Sequence, residues 1–280
     1  MASQSGFPSS YDPSKYYDPE IQTVREPART IFKEYSKIPN ERIANHINEV
    51  RKRAFAVTPY PCIGLFRFLE LDLHRMSIYP EILERVRTGD KFLDLGCALG
   101  QELRHLVHDG APSTNLYGCD LNPDLINVGY DLFNDQATLQ SQFIVSDIFN
   151  YKSDLITRFT GHFDIINAMS FFHLFTWDQQ ILVAKCIITL LRPQPGSLLV
   201  GRQVGKVKHS EGPEAGESLI GYFHNEESWR EMWEVVARET GTRWRVDVVE
   251  EKWGETASEE ILRLVREQGQ IKVRFVVRRE

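Results

Sequence analysis

Three carboxylates, Asp94, Asp120 and Asp147, stand at or near the ends of successive short apolar runs, and two glycines follow the first of them. The first run belongs to FLDLGCALGQELRHL, Phe92 to Leu106. An acid, then Gly96 and Gly100, then a helical pattern suits a ligand met by bare backbone, because Gly96 turns tightly and carries no Cβ. A dinucleotide site would show G-x-G-x-x-G, with a pyrophosphate on the helix N-terminus. Gly96, Ala98 and Gln101 fill those positions, so two of the three glycines are missing. Asp94 would repel a pyrophosphate and attract an ammonium or sulfonium. The expected ligand is therefore a cationic nucleoside rather than NAD. Asp120, in YGCDLN, can accept both hydroxyls of a ribose. Asp147, in IVSDIF, can accept from an adenine amine, with the Ile148 N–H facing the ring.

His173 lies in SFFHLFTW, among Phe171, Phe172 and Phe175. Two roles are open to it. It is a base or orienting donor for a second substrate, or a hydrogen-bonded histidine supporting its loop. The phenylalanines beyond the strand suit an apolar acceptor wall. The stretch Gly201–Ser228 is long for a loop, and long loops at this end of a sheet are usually functional. It offers Arg202, Gln203, His209 and His224 as polar contacts, although His224 is also placed to serve the helix beginning near Asn225. Cys97 reads as a small residue in a tight loop whose backbone touches the ligand.

The elements that must hold these residues follow from periodicity. KFLDLG, NLYGCDLN, SQFIVSDIF, HFDIINAMS and SLLVGRQV read as strands. QELRHLVHDG, PDLINVGYDLF and TWDQQILVAKCIITLL read as helices between them, the second opened by Pro123. Such alternation predicts an α/β fold, a parallel sheet covered on both faces. WRVDVVEEKW and IKVRFVVRRE alternate in period two about SEEILRLVREQG, predicting late strands of which at least one is antiparallel. Ligands of such sheets sit outside the carboxyl ends of the strands. Upstream, Ile43, Ile47 and Val50 share one helical face, and Ile82, Leu83 and Val86 another before Gly89. This predicts a tail and helical cap over residues 1–88 and a ligand-binding domain over residues 89–280. The first twenty residues, rich in Ser, Pro and Tyr, are either a disordered tail or a lid using Tyr16 and Tyr17.

Composition narrows the class. The 280 residues are 42% hydrophobic and 26% charged, enough for a sizeable core. A net charge of -6 disfavours a broad grip on nucleic acid. Cys62, Cys97, Cys119 and Cys186 show no paired metal spacing, so no metal is expected, and they read as reduced intracellular thiols. No apolar run is long enough to span a bilayer and no signal-peptide pattern opens the chain, which points to the cytosol.

FLDLGCALG, YGCDLNPDLI, FIVSDIF and FDIINAMSFFHLFTW resemble the ordered motifs of class I S-adenosylmethionine-dependent methyltransferases. The resemblance runs from about residue 89 to the C-terminus and departs from the family at Ala98, where Gly is common. More narrowly, SFFHLFTWDQQ, LLRPQPGSLLVGRQVG and FHNEESWREMW resemble fungal natural-product methyltransferases that act on carboxyl groups of meroterpenoid intermediates. The resemblance implies a Rossmann-like, doubly wound sheet with a late antiparallel strand. It implies S-adenosylmethionine held by Asp94, Gly96, Cys97, Gly100, Asp120, Leu121, Asp147 and Ile148. It implies an acceptor site using His173, Phe171, Phe172, Arg202, Gln203 and His224. The partner would be one hydrophobic small molecule, neither nucleic acid nor membrane, and a homodimer stays open. The alternatives are a nucleic-acid or protein methyltransferase, a methyltransferase-fold enzyme that rearranges or cyclises its substrate without methyl transfer, and a non-catalytic binding module. NAMSFF lacks the PPY-type motif of adenine or glutamine methylators.

Overall fold

Residues 11–211, 221–253 and 259–280 are described by the computed structural model. Half of the proposed tail (residues 1–10), residues 212–220 of the long segment and the start of the SEEILRLVREQG helix lie outside the described residues. The chain packs as two compact units, one of residues 12–146 and one built on residues 147–280.

In the first unit the N-terminal pattern yields α1 (Ala28–Thr30), α2 (Ile43–Val57), α3 (Pro61–Gly64) and α4 (Tyr79–Arg87). Three strands and two helices then alternate: β1 (Phe92–Leu95), α5 (Gln101–His108), β2 (Leu116–Asp120), α6 (Pro123–Phe133) and β3 (Gln142–Val145). The strands are parallel in the order β3-β2-β1, with Leu95 opposite Cys119 and Asp120 opposite Val145. β1 is buried along its length, the carboxylate of Asp94 included.

α6 starts where chemistry permits. Pro123 sits in the first turn, and the Asn122 side chain accepts the Asp124 N–H, pairing a donor the helix cannot satisfy. Ile43, Ile47, Val50 and Ala54 of α2 share one core with Leu125, Val128, Leu132 and Phe133 of α6. Each fully buried Leu or Ile of that seam contributes roughly 1.5–3 kcal/mol. Arg104 of α5 grips Asp135 through two bonds, Nε at 2.8 Å and Nη2 at 3.0 Å, and Tyr35 donates to the same carboxylate at 2.7 Å. The N-terminal helical region is thus tied to the strand-bearing part of this unit by apolar burial and by the Tyr35 hydrogen bond to the buried Asp135 carboxylate.

The second unit holds α7 (Asp154–Phe159), β4 (Ile165–Asn167), α8 (Trp177–Leu190), β5 (Leu198–Lys206), β6 (Ser210–Glu211), β7 (Tyr222–Phe223), α9 (Glu226–Thr240), β8 (Trp244–Glu251), α10 (Glu259–Glu267) and β9 (Gln270–Arg279). β4 and β5 are parallel, β9 is antiparallel to both β5 and β8, and the order is β4-β5-β9-β8. Both late strands are therefore antiparallel to their neighbours. Capping boxes open α8 (Thr176, Gln179) and α9 (Asn225, Ser228). Trp229, Met232, Trp233 and Val236 of α9 are buried as the core stripe their spacing predicts. α7 and the β6–β7 pair have too short a period to be read from sequence. Among the described residues, no helix is long and apolar enough to cross a membrane.

Candidate functional site

In the first unit the loop from Asp94 to Gly100 is a chain of left-handed turns. Gly96 and Gly100 have φ of 76° and 66°, and at Gly100 a Cβ would overlap Arg104. Ala98 takes φ 46°, which costs a residue with a Cβ roughly 1–2 kcal/mol. The N–H groups of Gly96 and Cys97 both donate to Cys119 O, at 2.8 and 3.0 Å, closing the loop onto β2. Asp94 is buried at its mouth. Burial, then the Asp94 and Asp120 charges, holds the Cys97 thiol well above its usual range, so Cys97 stays a neutral packing residue.

Asp120 is the last residue of β2 and meets the loop directly. Its Oδ2 accepts the Ala98 N–H at 2.9 Å and its Oδ1 the Asn122 N–H at 2.9 Å. Burial pushes its carboxyl up, against the pull of the backbone donors at Asn122, Ala98 and Leu121. A carboxylate has about four acceptor positions, so these contacts leave capacity for hydroxyl donors from a ligand. Leu121, next in the chain, is 69% exposed.

The segment holding Tyr16 and Tyr17 is docked against α2 and α3. Tyr17 packs on Phe55 at 4.8 Å, and the Arg51 guanidinium lies between the rings of Tyr17 and Phe66, 3.9 and 4.0 Å from their centroids. Arg51 also donates to Asp18 O at 2.7 Å and Gly64 O at 2.9 Å. Both tyrosines are half-buried. The residues after α2 reach the Asp120 turn: Thr58 Oγ1 accepts from Asn122 Nδ2 at 3.1 Å. Burial, with the Asp120 charge second, pushes the Tyr60 phenol up to about 12, so it remains a protonated hydroxyl beside that acid.

In the second unit Asp147 is exposed, two residues beyond the end of β3, and its Oδ1 accepts the Phe149 N–H at 2.9 Å. That is an Asx turn. Ile148 is buried. Phe149 meets Phe175 at 5.2 Å, and Phe175 meets Phe171 at 5.1 Å, so this turn and the segment after β4 share an aromatic wall. Phe172 turns the other way, fully buried between Trp229 and Phe275 at 5.1 and 5.9 Å, a core position. His173 is buried, its ring 6.5 Å from that of Phe223. Arg202, also buried, donates through Nη1 to Ser170 Oγ at 3.0 Å, and Ser170 is held at φ 53°.

Gln203 follows Arg202 on β5, and neighbouring side chains on a strand face opposite sides, so one ligand does not meet both. Both polar atoms of Gln203 are buried without a hydrogen-bond partner among the described residues. His224 departs from the expected contact role. Its Nδ1 pairs with Ser228 Oγ at 2.9 Å and its Nε2 with Gln180 Oε1 at 3.0 Å, which leaves no ring nitrogen for a ligand. Burial drives it down to about 3, so it is neutral. Gln180 in turn donates to Phe175 O and Tyr222 O, each at 2.9 Å, tying the aromatic wall to β7.

Sequence reasoning missed Tyr60, Arg51 and Gln180. Each acts through partners distant in sequence. Gln180 carries one signal, a polar side chain inside an otherwise apolar helical pattern; Arg51 lies in a charged run and Tyr60 between two prolines, and neither stands out.

The family described as meroterpenoid methyltransferase N-terminal domain matches residues 16–69, and a methyltransferase domain matches residues 92–194. The chain is 46% identical over 239 residues to the methyltransferase adrK of Penicillium roqueforti, covering 85% of this chain and 86% of the relative. It is 47% identical to the asnovolin E/chermesin D methyltransferase nvfJ of Aspergillus novofumigatus, covering 82% and 83%. It is 47% identical to an O-methyltransferase, phiE, of a fungal species, covering 80% and 75%. Among solved structures, a Haemonchus contortus phospholethanolamine N-methyltransferase shares the fold with a TM-score of 0.54 at 13% identity, covering 82% of this chain and 60% of that one. The fold is thus the Rossmann-like α/β fold of the methyltransferases, preceded by N-terminal helices.

Proposed function

Since the chain belongs to the fungal meroterpenoid methyltransferases and is an S-adenosylmethionine-dependent methyltransferase, we propose that it methylates a carboxyl oxygen of a hydrophobic natural-product acid. S-adenosylmethionine supplies an electrophilic methyl group on a sulfonium centre. Asp94 provides the negative charge that a sulfonium prefers over a pyrophosphate. Gly96, Cys97 and Gly100 present backbone to the ligand, and Asp120 receives the ribose hydroxyls. Leu121 and Ile148 give apolar cover to the adenine, with Asp147 and the Ile148 N–H at its edge. Asp147 already serves its own turn, so it contributes least. Residues 1–88 act as cap, with Tyr16 and Tyr17 as the lid and Arg51 as its anchor. Residues 89–280 carry the cofactor and acceptor sites.

The observation that carries the acceptor class is the buried Arg202 guanidinium bonded to Ser170 in the segment that also carries Phe171. A guanidinium favours a carboxylate and an apolar wall favours a terpenoid skeleton. A carboxylate, with a pKa of about 4, is already the nucleophile at neutral pH and needs no base. His173 then orients the acceptor, and turnover rests on alignment and exclusion of water. Phe172 and His224 stand behind this wall as support. Gln203 faces the other side of β5. The acceptor is a single small molecule rather than nucleic acid or membrane, the compartment is the cytoplasm, and a homodimer is compatible with this chemistry.

The pH–rate profile of His173→Ala tests the proposal. Carboxyl methylation predicts reduced but measurable turnover with no steep rise as pH passes through neutrality. A nearly dead variant, with a wild-type rate climbing toward a phenolic pKa of about 10, would instead mean methylation of a phenol.

A further inference from the structure

The far end of α5 from the glycine loop carries a second group of chemically active side chains. His105 and His108 lie in its last turn, Asp109 caps it, and His74 and Tyr79 come from the turn before α4 and from α4 itself. Their rings pack closely, His74 lying tilted 4.7 Å from His105 and edge-on 5.0 Å from Tyr79.

We propose that His74, His105 and Asp109 form a binding site for one divalent transition-metal ion of the zinc class. One ligand atom from each lies within 4.8 Å of the others. His105 Nε2 is 3.5 Å from Asp109 Oδ2. That is long for a charge-assisted hydrogen bond. It matches the spacing of about 3.4 Å between two ligands of a tetrahedral ion held at roughly 2.0–2.2 Å from each. His74 completes the set by rotation of an exposed side chain.

The surroundings fit the same reading. Asp109 is held in place by Tyr79 Oη, which donates to Oδ2 at 2.7 Å and leaves that oxygen a second lone pair, and by His108 Nδ1 at 2.8 Å from Oδ1. Bonds of this kind fix ligating carboxylates in place. The carboxyl end of α5 adds the negative pole of the helix. Two imidazoles and one carboxylate favour zinc, copper or nickel over magnesium or calcium. The fourth position is left to water. The ion would pin the turn at His74 to α5, whose other end carries the glycine loop. The site stands or falls independently of the methyl-transfer reading.

Calorimetry tests it on untagged full-length protein, dialysed against chelator and titrated with zinc chloride. One equivalent is expected to bind, with affinity more than about tenfold weaker in His74→Ala, an exposed position whose folding is checked by circular dichroism. Cobalt(II) should give tetrahedral d–d bands without thiolate charge-transfer absorption. No binding by the wild type, equal affinity in His74→Ala, or thiolate bands that place the ion on cysteine would each overturn the proposal.

Discussion

Replacing His224 with Gln is expected to reduce the protein's sensitivity to acid. Gln180 donates both its amide hydrogens to the carbonyls of Phe175 and Tyr222, which leaves its Oε1 as the acceptor facing His224 Nε2. The ring is therefore the Nε2–H tautomer, and Nδ1 accepts from Ser228. A proton added to Nδ1 would place a second charge-bearing donor in a buried pocket. Burial accordingly lowers His224 to about 3, against about 6.5 in an unfolded chain. The sign follows directly. Between those values the unfolded state binds a proton that the folded state refuses, so stability falls as pH falls from about 6.5 toward 3. At pH 5 the gap of 1.5 units from the unfolded value corresponds to about 2 kcal/mol lost relative to pH 7.5. Urea unfolding of both proteins at pH 7.5 and pH 5 measures it. The variant should be less stable at pH 7.5, because it disturbs a buried network, but its loss on acidification should be smaller by about 2 kcal/mol. Equal losses in the two proteins would mean that His224 does not titrate as its burial requires.

Two further substitutions probe the glycine loop. Asp120→Ala removes the acceptor used by Ala98 and Asn122 and should weaken S-adenosylhomocysteine by about 1–3 kcal/mol; unchanged affinity by calorimetry in the folded variant would end its ribose assignment. Gly129→Ala would drive a Cβ into the Leu99 carbonyl oxygen of the loop, an overpacking cost of about 1–3 kcal/mol that exceeds the gain of about 1 kcal/mol in helix propensity. A more stable variant by denaturant unfolding would contradict that packing.

Asp94, the loop glycines and Asp120 were legible because strand ends and turn chemistry are local. So were the cores of α6 and α9, whose apolar residues recur at helical spacing over three turns or more. Tyr60 was not legible. It meets Asp120 from sixty residues upstream, and only folding brings the two together. His224 was ambiguous for the same reason: Ser228 is four residues away and visible, whereas Gln180 is 44 residues away. Arg202 and Gln203 both read as polar contacts from sequence, although strand alternation separates them. Asp147 was read as a strand end, but β3 stops at Val145 and the acid spends a lone pair on its own turn. The His74–His105–Asp109 group has no motif spacing at all, since His74 comes from another part of the chain.

Carboxyl methylation is tested most directly by its product. The enzyme is incubated with methyl-labelled S-adenosylmethionine and a hydrophobic meroterpenoid carboxylic acid, and the product is weighed before and after mild alkali. Carboxyl methylation predicts a mass gain of one methylene, with all label released as methanol on hydrolysis. Label that survives alkali would place the methyl elsewhere and contradict the carboxyl assignment, and an isomer of unchanged mass would contradict methyl transfer itself.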